Sequence, residues 1–281
     1  MRLSLSLSPT GARGAAQEVG EAPSGVEASG GTVTDVGSLR RHTYIEDGSL
    51  VVNAGGMFEF EAVGAGGAGG SSESGGGGGG SAGDVVRGTI ELAPGTYNIV
   101  VGQKGLGQLA SPSGLPTSGT ATILFDGESF SVLARPGGFA GGRSPATDAV
   151  DGGGGNGSAA GGSLLGAAHP TSFSGGNGRT TGVGEDFDTR AGGGGRGAGG
   201  DGTNATESDR GFGGPAVASQ APGISASYGK GGRGGRAADS EDPPLPVNPG
   251  DGGSGGADKP NSRRRGTDGM NGIVHIWYEV A

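Results

Sequence analysis

Apolar and polar residues alternate with a period of two along the first half of the chain, which predicts β-strands. Phe58, Phe60 and Ala62, for example, alternate with glutamates. No window of roughly 11–18 residues keeps the apolar stripe of a helix, so we expect an all-β fold. Strand-like runs flank turn residues and predict three hairpins: residues 43–46 with 50–53 around Asp47-Gly48, residues 85–92 with 97–101 around Pro94-Gly95, and residues 120–125 with 129–134 around Asp126-Gly127.

The apolar residues thin out sharply near Pro136, and the chain becomes rich in glycine until about residue 271. The last ten residues are strand-like again, and we expect this closing strand to return to the sheet of the first region. The sequence therefore predicts an extended N-terminal arm over residues 1–40 and a small β-sandwich over residues 41–136 plus 272–281. Residues 137–271 then form a long glycine-rich insertion.

Glycine accounts for 72 of the 281 residues. Each glycine in regular structure costs roughly 0.5–1 kcal/mol relative to alanine, so an ordered chain of this composition needs dense backbone hydrogen bonding. In residues 64–70 and 229–235 glycine recurs at every third position in two registers. A period of three matches polyproline II-type geometry. A bundle of such helices would account for order in the insertion, and the sequence leaves open whether it forms.

The formal net charge of −9 and the absence of cysteine limit the partners and metal sites that the chain could have. An acidic chain argues against a nucleic-acid partner, and no thiolate metal site is available. Residues 64–69 fit the pattern G-x-G-x-x-G, but the helix that a dinucleotide site requires cannot follow in so much glycine. The three histidines have no ligand spacing, and no apolar run is long enough to span a membrane. We expect no enzymatic activity, no cofactor, no metal and no membrane insertion.

Three stretches carry a resemblance to a known family. Residues 57–67 are a strand that runs into glycines, residues 83–102 contain a hairpin-like pattern around Pro94-Gly95, and residues 268–278 form the closing strand. This order resembles the glycine-rich domain of minor tail proteins and tail-tip adhesins of tailed bacteriophages, notably those of actinobacterial hosts. The resemblance implies a β-domain that presents glycine-rich loops at the end of a tail or tail fibre, often as a trimer.

The function implied is that of a virion structural protein of the tail, without enzymatic activity, which contacts other tail proteins and attaches the particle to a host-surface receptor. A purely architectural tail or capsid decoration protein is the alternative. Large side chains at loop tips would set receptor specificity, or else pack glycine layers together. The candidates are His169, Phe173, Phe187, Phe212 and Tyr228.

The closing strand is apolar on both faces, which predicts that one of the two layers beside it is a neighbouring subunit. The alternative is that Trp277 packs under the protein's own glycine loops. Alternating leucines in the N-terminal arm would add a strand to a neighbour. We therefore predict a homo-oligomer, for which the resemblance implies a trimer, with an interface that includes Leu3, Leu5, Leu7, Ile273, His275 and Trp277.

Overall fold

The structure is a computed structural model, which describes residues 25–71, 76–107, 116–125, 130–140, 191–206, 209–236, 242–256, 258–259, 262–263 and 265–280. All regular elements in these ranges are strands with antiparallel pairing, so the all-β prediction is confirmed. The strands are β1 (Glu27–Ser29), β2 (Thr32–Val36), β3 (Leu39–Tyr44), β4 (Gly48–Ala54), β5 (Gly56–Val63), β6 (Val85–Leu92), β7 (Gly95–Val100), β8 (Thr122–Phe125), β9 (Phe130–Ala134), β10 (Val217–Ala218), β11 (Ser227–Tyr228), β12 (Asp258–Lys259), β13 (Ser262–Arg263) and β14 (Ile273–Glu279).

Two five-stranded sheets form a sandwich, with the orders β1-β4-β7-β8-β9 and β2-β3-β14-β5-β6. Their facing side chains build the main core, in which Phe58, Leu50, Ile99 and Ile276 are among the fully buried residues. The period-two alternation explains which side chains enter this core, because successive residues of a strand point to opposite faces. The closing strand β14 returns to the sheet, as predicted, and the structure shows that it pairs with both β3 and β5 and so lies at the centre of its sheet.

Two of the three predicted hairpins are wrong. Strand β3 belongs to one sheet and β4 to the other, and β6 and β7 are divided in the same way. Asp47-Gly48 and Pro94-Gly95 are therefore corners that carry the chain between sheets. The Asp47 carboxylate accepts a hydrogen bond of 2.8 Å from the Val101 amide, so it fixes the end of β7. Only β8 and β9 form the hairpin that was predicted around residues 126–127.

The predicted boundary at residue 40 is too late. Strand β1 pairs with β4, and β2 pairs with β3, so residues 27–36 belong to the two sheets. The short strands are hard to recognise because β2 is an edge strand whose side chains are mostly exposed and polar. The rest of the predicted arm, residues 1–24 with Leu3, Leu5 and Leu7, lies outside the described residues.

Beyond one end of the sandwich, the glycine-rich segments form a bundle held by backbone hydrogen bonds. In residues 64–70 the direction of the bonds repeats every third residue, as expected of polyproline II-type helices. One series of amides donates to residues 78–84, the next to residues 117–120 and the third to residues 267–270, at N···O distances of 2.9–3.3 Å. The period-three glycine pattern thus reports polyproline II-type packing.

The helix of residues 64–70 is surrounded by a closed ring of six similar segments. Three accept its amides, and three donate amides to its carbonyls. Neighbours in the ring also bond to each other, as in Ser81 N to Gly138 O at 3.0 Å and Gly80 N to Gly253 O at 2.8 Å. In order around the ring, the segments are residues 102–107, 117–120, 137–140, 77–83, 250–256 and 266–272.

The bundle continues the strands of the sandwich. Strand β5 runs directly into residues 64–70, and residues 266–272 run directly into β14. Several bundle segments come from the range predicted as sandwich, while others come from the range predicted as insertion. The predicted boundary near residue 136 therefore does not separate two bodies, because segments from both sides of it bond to each other.

Candidate functional site

Several described segments of the bundle end on the side that faces away from the sandwich. Gly70 N bonds to Gly78 O, Gly77 N to Gly256 O, and Gly235 N to Gly77 O, at 2.8–2.9 Å, so these segment ends lie at one level. Six described segments end near this level, at residues 71, 107, 140, 206, 236 and 256. We call this the distal end of the bundle. At the other, proximal end the segments enter the strands.

Close backbone packing explains why the bundle needs glycine. A Cβ atom added to Gly66 would lie 2.0 Å from the Asp251 carbonyl oxygen, which is far inside van der Waals contact. The positions that do carry side chains in residues 64–70 are alanines, and Ala65 and Ala68 are fully buried. The bundle is therefore specified by backbone contacts between its segments.

The outer face of the β14 sheet is covered by the chain itself. Tyr228, at the end of β11, is buried, and its hydroxyl lies 3.0 Å from His275 Nε2. Thr43 Oγ1 lies 3.0 Å from His275 Nδ1, so both ring nitrogens are satisfied. Burial lowers the pKa of His275 to about 4, and the ring is therefore neutral at physiological pH.

A buried carboxylate anchors the covering segment. Glu61 is fully buried and accepts hydrogen bonds from Arg87 Nε at 2.5 Å, Ser219 Oγ at 2.5 Å and the Gln220 amide at 3.0 Å. Sequence reasoning missed it, because alternation places Glu61 on the polar face of β5 without showing what covers that face. Its charge is compensated by these donors, as a buried carboxylate requires.

Two predictions about candidate residues are therefore corrected, one for the subunit interface and one for receptor contact. Ile273, His275 and Trp277 are each at most 7% exposed within one chain, so they do not offer a surface to a neighbouring subunit. Residues 217–228 cover this face and are fixed at a second point by a hydrogen bond from Arg41 Nη1 to the Pro222 carbonyl. Tyr228 cannot meet a receptor, because it packs in this layer against Val63 and Ile273.

Phe212 is the predicted receptor contact that the structure shows on the surface. It is 53% exposed, and its backbone is fixed by hydrogen bonds with Thr203 in both directions. Its ring lines a groove of about 490 Å³ on the side of the bundle. The other candidates, His169, Phe173 and Phe187, lie outside the described residues.

A scan against protein families matches residues 45–279 to the family described as the glycine-rich domain. The match covers most of the chain. The chain belongs to the glycine-rich domain family. No curated protein shows significant similarity to this glycine-rich domain.

An ion-pair cluster joins the bundle of this glycine-rich domain to its sandwich. Asp84, just before β6, accepts from Arg196 Nη1 at 2.9 Å, and Arg135 Nε lies 3.8 Å from its other carboxylate oxygen. Arg196 also donates to the Ala82 carbonyl at 3.1 Å. Asp84 and Arg196 are both buried, so the cluster fixes residues 191–198 beside the start of β6.

The described part of the glycine-rich domain offers no group of three or more His, Cys, Asp or Glu side chains that could hold a metal ion. Within the same ranges, no helix has the length and hydropathy needed to cross a membrane.

Proposed function

We propose that this glycine-rich domain is a virion structural protein of a bacteriophage tail tip or tail fibre, and that it attaches the particle to the host surface. The observation that carries the proposal is the distal end of the bundle, where six described segments end on a platform held by backbone bonds. Such a platform tolerates changes in the connections, as adhesive loops require. The resemblance to tail adhesins supplies the biological setting.

The longest of these connections joins Ala140 to Ala191. It contains His169, Phe173 and Phe187, which we propose as receptor contacts on grounds of side-chain type. The described residues on either side are fixed by backbone bonds, as in Ala140 N to Ala68 O at 3.0 Å and Gly192 N to Gly235 O at 2.9 Å. The connection can therefore be exchanged without moving the ends to which it is attached.

The trimer is part of this proposal and rests on the resemblance, because the buried outer face of β14 no longer supports it. Residues 1–24 of each chain would add a strand to a neighbour. Chemical cross-linking and light scattering of the purified full-length chain test it: a trimer is expected, and a monomer at micromolar concentration would contradict it.

Adsorption measurements test the attachment role. The full-length protein is added to host cells before the phage, and it should block adsorption if it occupies the receptor. A variant in which a short Gly-Ser linker replaces residues 142–189 should fold but no longer block. A matched control alters the turn at Gly37-Ser38, which joins β2 to β3 at the opposite end of the molecule.

Blocking by the control and not by the linker variant supports attachment through the distal end. Equal blocking by both variants, or no blocking by the wild-type protein, contradicts it. A particle that adsorbs normally with the linker variant in place of the natural chain would favour the architectural alternative.

A further inference from the structure

Residues 215–229 form a β-hairpin, with β10 and β11 as its arms, that crosses the outer face of the β14 sheet. We call this hairpin the flap. Near its base, the Tyr228 hydroxyl lies 3.0 Å from His275 on β14. At its turn, a Cβ atom added to Gly223 would lie 3.1 Å from Val36 Cγ2 on β2. The flap therefore reaches from the centre of the sheet to its edge.

The base of the flap is closed by bonds within the bundle. Gly231 N bonds to Gly214 O at 2.9 Å, close to the two ends of the flap, and Ala198 N bonds to Gly229 O at 2.7 Å. Gly229 has a φ of 72°, in the left-handed region, so the chain bends there in a way that favours glycine. None of these bonds involves the sheet. The flap can therefore lift from the sheet while the bundle keeps its bonds.

The contact between the flap and the sheet is largely polar. The flap carries no charged residue, so the charges at this contact belong to the sheet. Arg41 donates to the Pro222 carbonyl, and Arg87 donates to the Ala218 carbonyl. The Glu61 carboxylate accepts two further bonds from the flap, as described above. Covering charged groups removes them from water, and this desolvation offsets much of what the bonds contribute.

The apolar contact beneath the flap is small. Its buried members are Val63, Tyr228 and Ile273, with a few half-buried neighbours, whereas the core between the two sheets is much larger. Segments with few buried apolar contacts open at a lower free energy than the core of a protein does. We therefore expect the flap to open before the two sheets separate.

His275 lies at the centre of this contact and makes it sensitive to pH. Both ring nitrogens have partners while the flap is closed, and burial then holds the pKa of His275 at about 4. The charged groups that face the ring are Arg41 on β3 and Glu61 on β5, which is paired with Arg87 on β6. Tyr228 faces it from the flap, and burial raises the pKa of this hydroxyl. Once exposed, a histidine takes up a proton at about pH 6.5, so acid favours the open form.

We propose that the flap is an acid-sensitive lid, which opens as a unit about its base and uncovers the outer face of β14 when His275 takes up a proton. Ile273 and Trp277, which are at most 7% exposed in the closed form, then meet solvent. At neutral pH the ring is uncharged and the face stays covered. The proposal concerns the sandwich and is independent of the attachment role proposed for the distal end.

Hydrogen exchange of the full-length protein, measured at pH 7 and pH 4 and corrected for the intrinsic rate at each pH, tests the proposal. The Gln220 amide reports on the flap, because it donates to Glu61 at 3.0 Å. The Gly231 amide reports on the base, because it donates to Gly214 O at 2.9 Å. We expect the protection of Gln220 to fall about a hundredfold from pH 7 to pH 4, as the lowered pKa of His275 requires. Gly231 should stay better protected than Gln220 at both pH values.

Three variants separate the pH effect from the strength of the contact. His275→Gln keeps a polar side chain that does not titrate, so the protection of Gln220 should be the same at pH 7 and pH 4. Ser219→Ala removes a bond to Glu61 and should lower this protection about tenfold at both pH values, with the pH effect retained. Ser38→Ala is the control, because Ser38 is exposed in the turn between β2 and β3. It should change neither quantity, and circular dichroism confirms that each variant is folded.

Equal protection of Gln220 and Gly231 at each pH would overturn the proposal, because the flap and the bundle would then open together. A wild-type Gln220 amide with the same protection at pH 7 and pH 4 would also overturn it, and so would a pH effect that persists in His275→Gln. The comparison of the two amides needs the wild-type protein alone, so it decides the question even where a variant fails to fold. Since no cells are present, the outcome leaves the adsorption result for the distal end unaffected.

Discussion

Substitution of Gly66 by alanine tests whether backbone contact in the bundle is what stabilises the fold. The added methyl group would lie 2.0 Å from Asp251 O and 2.5 Å from Asp251 C, and neither atom belongs to a flexible side chain. Asp251 O also accepts the Met270 amide at 2.9 Å, so it cannot move alone. The segments must therefore separate by more than an ångström.

That separation has an energetic cost that follows from the contacts. Overpacking costs about 1–3 kcal/mol. The bonds Gly66 N to Met270 O and Met270 N to Asp251 O, both 2.9 Å, would stretch beyond useful length, at about 0.5–1.5 kcal/mol each. Alanine also lowers the conformational entropy of the unfolded chain, which offsets about 0.4–1 kcal/mol of this loss of stability. We expect a net loss of about 3 kcal/mol in the free energy of unfolding, or about 6–12 °C in Tm.

Urea unfolding followed by fluorescence gives the measurement. The chain has one tryptophan, and Trp277 is buried in β14, immediately after the last bundle segment. Gly95→Ala is the control, because the nearest heavy atom to its added Cβ is 3.9 Å away. If Gly66→Ala and Gly95→Ala unfold at the same urea concentration, backbone contact in the bundle does not carry the stability.

Two further predictions concern the layer over β14. The free energy of unfolding should fall as the pH drops from 6.5 towards 4, because the lowered pKa of His275 means that the unfolded chain takes up a proton before the folded one. The difference in unfolding free energy between pH 7 and pH 4 measures this effect, which we expect to be about 3 kcal/mol. The difference should be smaller in His275→Gln. Glu61→Gln should lower the free energy of unfolding by about 3 kcal/mol, because the hydrogen-bond donors around the fully buried carboxylate lose a matching partner. Glu59→Gln is the control: Glu59 is exposed, and its replacement should leave the free energy of unfolding, measured by urea titration, nearly unchanged.

The strands of the sandwich could be predicted where apolar and polar residues alternate strictly along the chain. Phe58 and Phe60 indicate the inner face of β5, and the closing strand is apolar on both faces, which indicates a packed layer on each side of it. Pairing was not predictable from turn residues, because a turn pair such as Pro94-Gly95 allows a change of direction without choosing the sheet that the next strand joins. The edge strand β2 was missed because most of its side chains are exposed and carry no burial signal.

The layer over β14 shows a different limit of sequence reasoning. Ile273 and Trp277 on the outer face correctly indicated a second packed layer, but the pattern cannot tell whether that layer comes from the same chain. It comes from residues 217–228, more than 40 positions before β14 along the chain. The short strands β10 and β11 have two residues each, which is too few for periodicity to detect.

Glycine content alone is usually taken as a sign of disorder, but the spacing of the glycines carries the structural information here. A residue in a polyproline II-type helix with three residues per turn faces the same neighbour as the residue three positions away. Two of every three positions in residues 64–70 are glycine, and alanine occupies the third register, in which Ala65 and Ala68 bond to Thr120 and Thr117. A side chain larger than a methyl group is therefore excluded from the interior on every face.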